Sequence, residues 1–428
     1  MKRRIFIAKS LAILAAASFF TAAAPLPAIE GLSPAPVVEA AAPWVDESLR
    51  PLPLSVTAFD VAVGDAGGVD LHQRWPRISL AGDARLFPEL AAALKKYSED
   101  ETRVSEDIRR VTVQSRRTTH PPYPPRWRTE LFLRRADTLA VSFLESTLSD
   151  EGDGYGRYII RGKNYDTRTG RELSLSDVCP DPGGLAGAID AQLRRDYPEA
   201  PFLADGGQKI AWIVESMARA NALQWTLDPA GASFYFDRAE LDGETTGLFT
   251  ATVLFDERPE LFRDEYRRAP QSYCLELRPW LPVRTLFADG SGAAVQIQQT
   301  ASSDEKLTVF CGGGRYTEPG AARDVRAMLV SLADGRRYIY ADILSGERNF
   351  ITYVYDLNGN APAPVPTARA MTRCAALRPP QPGIYGEETF YAMTDPEDFL
   401  MVYVGGPGGN TAIHRCRVGA DGAPEEKR

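Results

Sequence analysis

The stretch NYDTRTGRELSLSDV, Asn164 to Val178, sets a polar turn between two segments of mixed polar and apolar residues. The overlapping YIIRGKNYD, Tyr158 to Asp166, is rich in β-formers and reads as a strand. Gly170 takes positive φ without steric cost, so TRTG reads as the turn. RELSL alternates and predicts the returning strand. Ser176 or Asp177 then bends the chain and caps a short helical turn. The stretch therefore predicts a hairpin that feeds a helix. Asp166, Thr169, Gly170 and Asp177 read as turn residues in it, not as ligands.

Strands are expected upstream at Leu52–Val63 and Leu71–Leu80, in RRVTVQSRR (109–117), and in TELFLRRADTLAVSFLE (129–145). LFPELAAALKKY puts Leu86, Leu90, Leu94 and Tyr97 on one helical face. Downstream, Leu185, Ile189, Leu193 and Tyr197 define a second helix, and Ile210, Ile213, Val214 and Met217 a third. ASFYFDRAEL and GLFTATVLF read as strands, and Glu257–Arg268 as a short helix with Pro259 in its first turn. After about Pro282 helical periodicity fades. LFADGSG, SLADGRRYIYADI, YVYDLNGNAP and CRVGADGAP each carry an Asp-Gly or Asn-Gly hairpin signal. The expected fold class is α+β, an antiparallel sheet with packed helices, followed by an all-β C-terminal domain.

The 428 residues are 44% hydrophobic and 25% charged, which describes a globular chain of two or three domains. Lys2, Arg3 and Arg4 precede the apolar run Ile5–Phe20 and the small-residue tail TAAAPLPA, the layout of an export signal. Pro- and Ala-rich sequence follows it. The organisation predicted is a signal and linker over 1–42, an α+β region over 43–282 and a β-rich domain over 283–428. Loss of residues 1–24 leaves 45 basic residues against 57 acidic ones, a net charge of −12. An acidic exported chain is a poor nucleic-acid binder. A membrane association is expected only if the signal stays uncleaved.

Cys179, Cys274, Cys311, Cys374 and Cys416 include no CxxC pair, and with three histidines a structural zinc site is not expected. Export permits disulfides, and a bridge between two of Cys311, Cys374 and Cys416 competes with buried free thiols.

The order RADTLAVSFLE, EGDGYGRY, NYDTRTGRELSLSDV, helix, WTLDPAGASFYFDRAEL, GLFTATVLF and PELFRDEY resembles the C-terminal domain shared by the anti-sigma factor RsiV and the peptidoglycan deacetylase PdaC. WPRISLAGDARLFPELAAALKKYSED is similar to the smaller domain that precedes it. The resemblance spans residues 52 to about 282. Tyr155 stands where family members often carry a His, and RAELDGETTG is acidic where the family is uncharged. The resemblance implies an extracytoplasmic recognition module of the cell envelope.

HExxH, GxSxG, Walker and GxGxxG motifs are absent from the sequence. CGGGRY, Cys311 to Tyr316, reads as a glycine-rich turn in preference to a nucleophile beside an anion-binding backbone. No cofactor and no metal is expected. One electrostatic feature remains. Arg109 to Arg135 holds eight arginines and one acid, Glu130. Arg116, Arg117, Tyr123, Arg126, Trp127 and Arg128 are the candidate binding residues, since guanidiniums and rings together recognise anionic glycan or lipid head groups. The competing reading pairs these arginines with the chain's many acids. The leading function is a non-catalytic envelope protein that binds an extracytoplasmic protein, such as a cationic lysozyme, or wall glycan. The alternatives are a wall-modifying enzyme or its accessory subunit, and a structural β-protein.

Overall fold

The computed structural model describes residues 48–427, except 66–67, 83, 117–122, 155, 204–207, 242–246, 288, 301–304, 319–321, 346–348, 360–361, 366–385, 392 and 406–409. The export signal and linker lie outside the described residues. Val38–Arg428 cluster as one compact unit.

The first sheet runs in the order β1 (Leu54–Asp65), β2 (Gly68–Leu80), β3 (Arg126–Ala136), β4 (Ala140–Asp150) and β5 (Arg157–Asp166). All its pairs are antiparallel except β2 with β3. That parallel step needs a crossover, and helix α1 (Pro88–Arg116) supplies it. Leu90, Leu94 and Tyr97 of α1 pack against Leu131, Leu133, Val141 and Phe143 of the sheet.

Helix α1 absorbs RRVTVQSR, which the sequence predicts as a strand. Val111 there is 53% exposed, so no sheet claims this segment's side chains. Each β-branched residue costs at most about 0.7 kcal/mol in a helix. Ion pairs Arg103–Asp100 and Arg110–Asp107, three residues apart, support the helix on its exposed side.

The stretch Asn164–Val178 differs from expectation in one strand. After β5 the chain turns at Gly170, with φ of 65°. The returning strand shrinks to a single bridge, Tyr165 with Glu172. Ser174 ends it early because it is already the N-cap of helix α2 (Leu175–Val178), with Asp177 completing the capping box. The cap is therefore Ser174 and not Ser176 or Asp177.

Helices α3 (Pro182–Asp196) and α4 (Gln208–Arg219) pack with a three-stranded sheet of β6 (Gln224–Leu227), β7 (Gly231–Asp237) and β8 (Leu248–Leu254). A short helix α5 (Arg238–Leu241) follows β7. The helix expected over Glu257–Arg268 is reduced to one 3-10 turn, Pro259–Leu261. The backbone there is engaged elsewhere: Arg135 takes the carbonyls of Tyr266 and Arg268 at 3.2 and 2.5 Å, and Arg263 N donates to Val178 O.

The C-terminal region is β-only among the described residues. Its central sheet joins β9 (Tyr273–Leu277) to a group of later strands. Before those come β10 (Val283–Leu286), β11 (Gly292–Gln299), β12 (Leu307–Cys311) and β13 (Gly314–Thr317), which make one outer sheet. The central sheet then continues with β14 (Arg323–Ser331), β15 (Arg337–Ser345), β16 (Asn349–Asp356) and β17 (Ala363–Pro364), in the order β17-β16-β15-β14-β9. A second outer sheet holds β18 (Gly386–Tyr391), β19 (Phe399–Gly405), β20 (Asn410–Val418) and β21 (Pro424–Glu426).

The central sheet is apolar on both faces. Leu275, Leu329 and Ile339 pack with Val295 and Val309 of one outer sheet. Cys274, Met328 and Tyr340 pack with Phe399 and Met401 of the other. This near-continuous hydrophobic patterning is what a strand buried on two sides needs. Asp289-Gly290, Asp334-Gly335 and Asp421-Gly422 each turn a hairpin, with glycine φ of 77°, 88° and 82°. The expected boundary at Pro282 falls just after β9, so the strand that precedes it in sequence belongs to the C-terminal sandwich. Cys179, Cys274 and Cys311 are buried free thiols. The two bridges that would use Cys311 are therefore absent. Cys374, and with it the remaining pairing to Cys416, lies outside the described residues.

Candidate binding face on the first sheet

The register of the first sheet builds a row of side chains across four strands. Arg74 pairs with Arg128, Arg128 with Leu148, and Leu148 with Tyr158. The next row is Glu130, Ser146 and Ile160. Residues directly opposite in a ladder point to the same face, so both rows lie on one side. The ion pair of Arg128 with Glu130, at 2.6 Å, agrees. The opposite side carries Leu131 and Glu145 and is covered by α1, where Tyr97 donates to Glu145 at 3.0 Å.

The helix-free side is half closed. Phe132 and Leu144 are buried with Tyr235 of β7 and Leu281, and Ile160 and Leu248 pack at the margin. Beyond that margin the face is open. Arg126 is exposed, Arg74 and Arg128 are partly exposed, and Tyr158 is 49% exposed.

Charge on the open part is unevenly neutralised. Arg74 sits 3.9 Å from Asp60, and Arg128 is held by Glu130. Arg126 makes no ion pair among the described residues. Arg278 lies at the junction of the closed and open halves. Its Nε donates to Ser146 Oγ at 3.0 Å, its Nη1 to Pro279 O at 3.1 Å, and its guanidinium carbon lies 4.8 Å from the centre of the Tyr158 ring. Only 8% of the residue is exposed, and it makes no ion pair among the described residues, although the nearby Glu130 carboxylate acts on it. Burial pulls its pKa below the ordinary arginine value. Stacking on Tyr158 and the two hydrogen bonds offset part of that cost.

The arginine cluster seen in the sequence is thus dispersed. Arg134 is fully buried and bidentate on Asp228, Nε to Oδ1 at 3.1 Å and Nη2 to Oδ2 at 2.7 Å. Arg135 is buried on Asp137 at 2.7 Å. Arg110 pairs with Asp107 on α1. Arg126 and Arg128 share the open face. Trp127, between them, points to the other side and is half-buried. Tyr123 is exposed just before β3; its N–H donates to Gly152 O in the β4–β5 loop at 3.1 Å. Arg116 ends α1, and Arg117 lies outside the described residues. Tyr158 and Arg278 were not found by sequence reasoning. The alternation of β5 marks Tyr158 as a surface candidate. Nothing local marks Arg278, which reaches the first sheet from a distant part of the chain.

The four turn residues occupy one local structure. Asp166 Oδ1 accepts from Thr169 N and Thr169 Oγ1, both at 2.8 Å. A Cβ on Gly170 would stand 2.3 Å from Glu89 O, at the start of α1. Asp177 accepts from Ser174 N and pairs with Arg171 at 2.8 Å, which together hold its carboxyl well below the usual range. Cys311 opens the hairpin turn Gly312-Gly313, and burial pushes its thiol up to about 11. That is the opposite of the depressed value an activated nucleophile needs. Among the described residues no three His, Cys, Asp or Glu side chains gather to hold a metal ion. None of the described helices is long and apolar enough to cross a membrane.

No family model and no curated protein matches the chain. Several solved structures are similar to it, two of them over about half of the chain. A member of the DUF3298 family from Bacteroides fragilis is 12% identical, with a TM-score of 0.36, over 50% of this chain and 96% of its own. A DUF3298 family protein from Pseudomonas aeruginosa is 14% identical, with a TM-score of 0.35, over 52% of this chain and 98% of its own. Similarity at this level defines no ligand and no activity.

Proposed function

We propose that this is an exported cell-envelope protein that binds wall glycan on the open half of the helix-free face of its first sheet. One observation carries the reading: two guanidiniums that make no ion pair among the described residues, those of Arg126 and Arg278, share a face with the exposed ring of Tyr158. Guanidiniums donate to sugar and anionic oxygens, and aromatic rings stack on the apolar faces of sugars. The signal-like N-terminus supports an envelope location.

A second reading has its own support. The chain is acidic as a whole, with a formal net charge of −8 before any cleavage, and acidic surfaces speed encounter with basic proteins. A lysozyme-like cationic partner fits that field. The two readings make opposite demands on the same variant. Pull-down with purified wall and with a basic lysozyme, at low and physiological salt, separates them. Glycan binding should be retained by the wild type and lost when Arg126 and Arg128 are both replaced by Ala. Capture of lysozyme alone, unchanged in the double variant, would overturn the glycan reading in favour of the protein partner.

A further inference from the structure

Arg278 differs from Arg134 and Arg135, the two arginines sealed in the core. Arg134 and Arg135 spend their terminal nitrogens on a carboxylate or on backbone carbonyls. Arg278 uses Nε and Nη1 internally and leaves Nη2 without a hydrogen bond among the described residues. Nη2 is also not one of the sealed, unpartnered polar atoms found among the described residues, so it reaches the surface. A nine-tenths-buried cation with one outward donor and no ion pair among the described residues, served only by the field of a Glu130 carboxylate already bound to Arg128, is an unfinished interaction. A buried charge of this kind is costly unless something completes it.

The surroundings say what completes it. The guanidinium is pinned in orientation by Ser146 and by the Tyr158 ring, so a ligand meets a donor that is already positioned. Only Nη2 is available, so an anionic group of the ligand meets a single outward donor and not a two-pronged fork. Two residues on, at most about 7 Å along the chain, Trp280 is held in the left-handed region at φ 72°. Its backbone is tied to β11 by Trp280 N to Ile297 O at 2.9 Å and Gln296 Nε2 to Trp280 O at 2.8 Å, and its ring stays 44% exposed. A large residue in that conformation carries strain of the kind that accumulates at ligand sites.

We propose that Arg278, with the rings of Tyr158 and Trp280, is a subsite for the carboxylate of an acidic sugar. This rests on the glycan reading above and sharpens it: the face selects glycan by its carboxyl group. Charge-assisted hydrogen bonds outweigh neutral ones, so the carboxylate should be worth about tenfold or more in affinity.

The test uses the full-length protein and three probes of matched length. Peptide-stripped glycan strands of alternating N-acetylglucosamine and N-acetylmuramic acid carry a lactyl carboxylate. Chito-oligosaccharides are neutral, and poly(glycerol phosphate) is a phosphate polymer. Titration calorimetry should show the stripped strands bound at least about tenfold more tightly than the chito-oligosaccharide. In Arg278→Gln that gap should close, while Tyr158→Ala should weaken both sugars. The wild-type comparison stands even if Arg278→Gln fails to fold. Equal affinity for the two sugars would overturn the carboxylate subsite and leave the glycan reading intact. Preference for the phosphate polymer would overturn the subsite as stated. Binding of none of the three would overturn both.

Discussion

The two ends of β3 carry the same residue type and do opposite things. At its C-terminal end, Arg134 and Arg135 are sealed and matched by Asp228 and Asp137. Around Arg134 the network continues through Ser233, which donates to Asp228 Oδ2 at 2.5 Å, and through Thr226, which donates to Asp228 Oδ1 at 3.1 Å. These contacts tie the first sheet to the three-stranded sheet. At the N-terminal end, Arg126 is exposed and makes no ion pair among the described residues, and Arg128, paired with Glu130, stays partly exposed. The difference lies in what covers each end. Tyr235 and Leu281 close the upper half of the face, and nothing among the described residues closes the lower half. A run of arginines is therefore a fastening where the chain folds over it and a contact surface where it does not.

The comparison breaks most easily at the sealed end. Asp228→Ala would leave Arg134 buried without its paired carboxylate. Loss of one partner of a buried pair costs about 3–5 kcal/mol, so denaturant unfolding should show a large fall in midpoint. A change comparable to that of Arg126→Ala, a surface substitution expected to stay within about 0.5 kcal/mol, would show that the two ends are not different in kind.

Gly170 tests how firmly the stretch Asn164–Val178 is seated. Alanine there meets both a positive φ and the Glu89 carbonyl. The expected loss is about 1–3 kcal/mol in thermal or denaturant unfolding. A neutral result would mean that the turn is free of α1.

A smaller effect concerns the join to the C-terminal sandwich. Glu276 of β9 accepts from Leu133 N at 3.2 Å and pairs with Arg326 at 3.2 Å. Burial raises its pKa, with Arg326 pulling the other way. The sign follows from linkage: with the folded pKa above the unfolded value of about 4.3, the contribution is complete below that value and is lost as pH rises through the folded one. Glu276→Gln stays neutral throughout. The wild type should therefore lose stability relative to the variant as pH rises above the unfolded value of about 4.3, and a pH-independent difference would contradict the assignment.

Local chemistry made much of the fold legible. The Asp-Gly hairpins, the helix faces at Leu185–Leu193 and Ile210–Val214, and the Gly170 turn all depend on neighbours in sequence. The errors share one cause. Val111 to Val113 favour a strand on propensity but sit in a helix already under way, and the end of Glu257–Arg268 gives the carbonyls of Tyr266 and Arg268 to Arg135. In each case tertiary context outweighed local preference. The candidate face was half visible for the same reason. Arg126 and Arg128 lie in one conspicuous run, but which arginines are sealed depends on Asp228 and Asp137, and Arg278 arrives from far along the chain.

Hydrogen–deuterium exchange of the full-length protein, with and without peptide-stripped glycan strands, tests the central claim most directly. The account predicts slowed exchange in peptides covering Arg126–Glu130, Arg157–Arg161 and Arg278–Trp280, with β7 and the Arg134 network unchanged. Protection confined to the C-terminal sandwich, or absent from all three segments at saturating glycan, would contradict it.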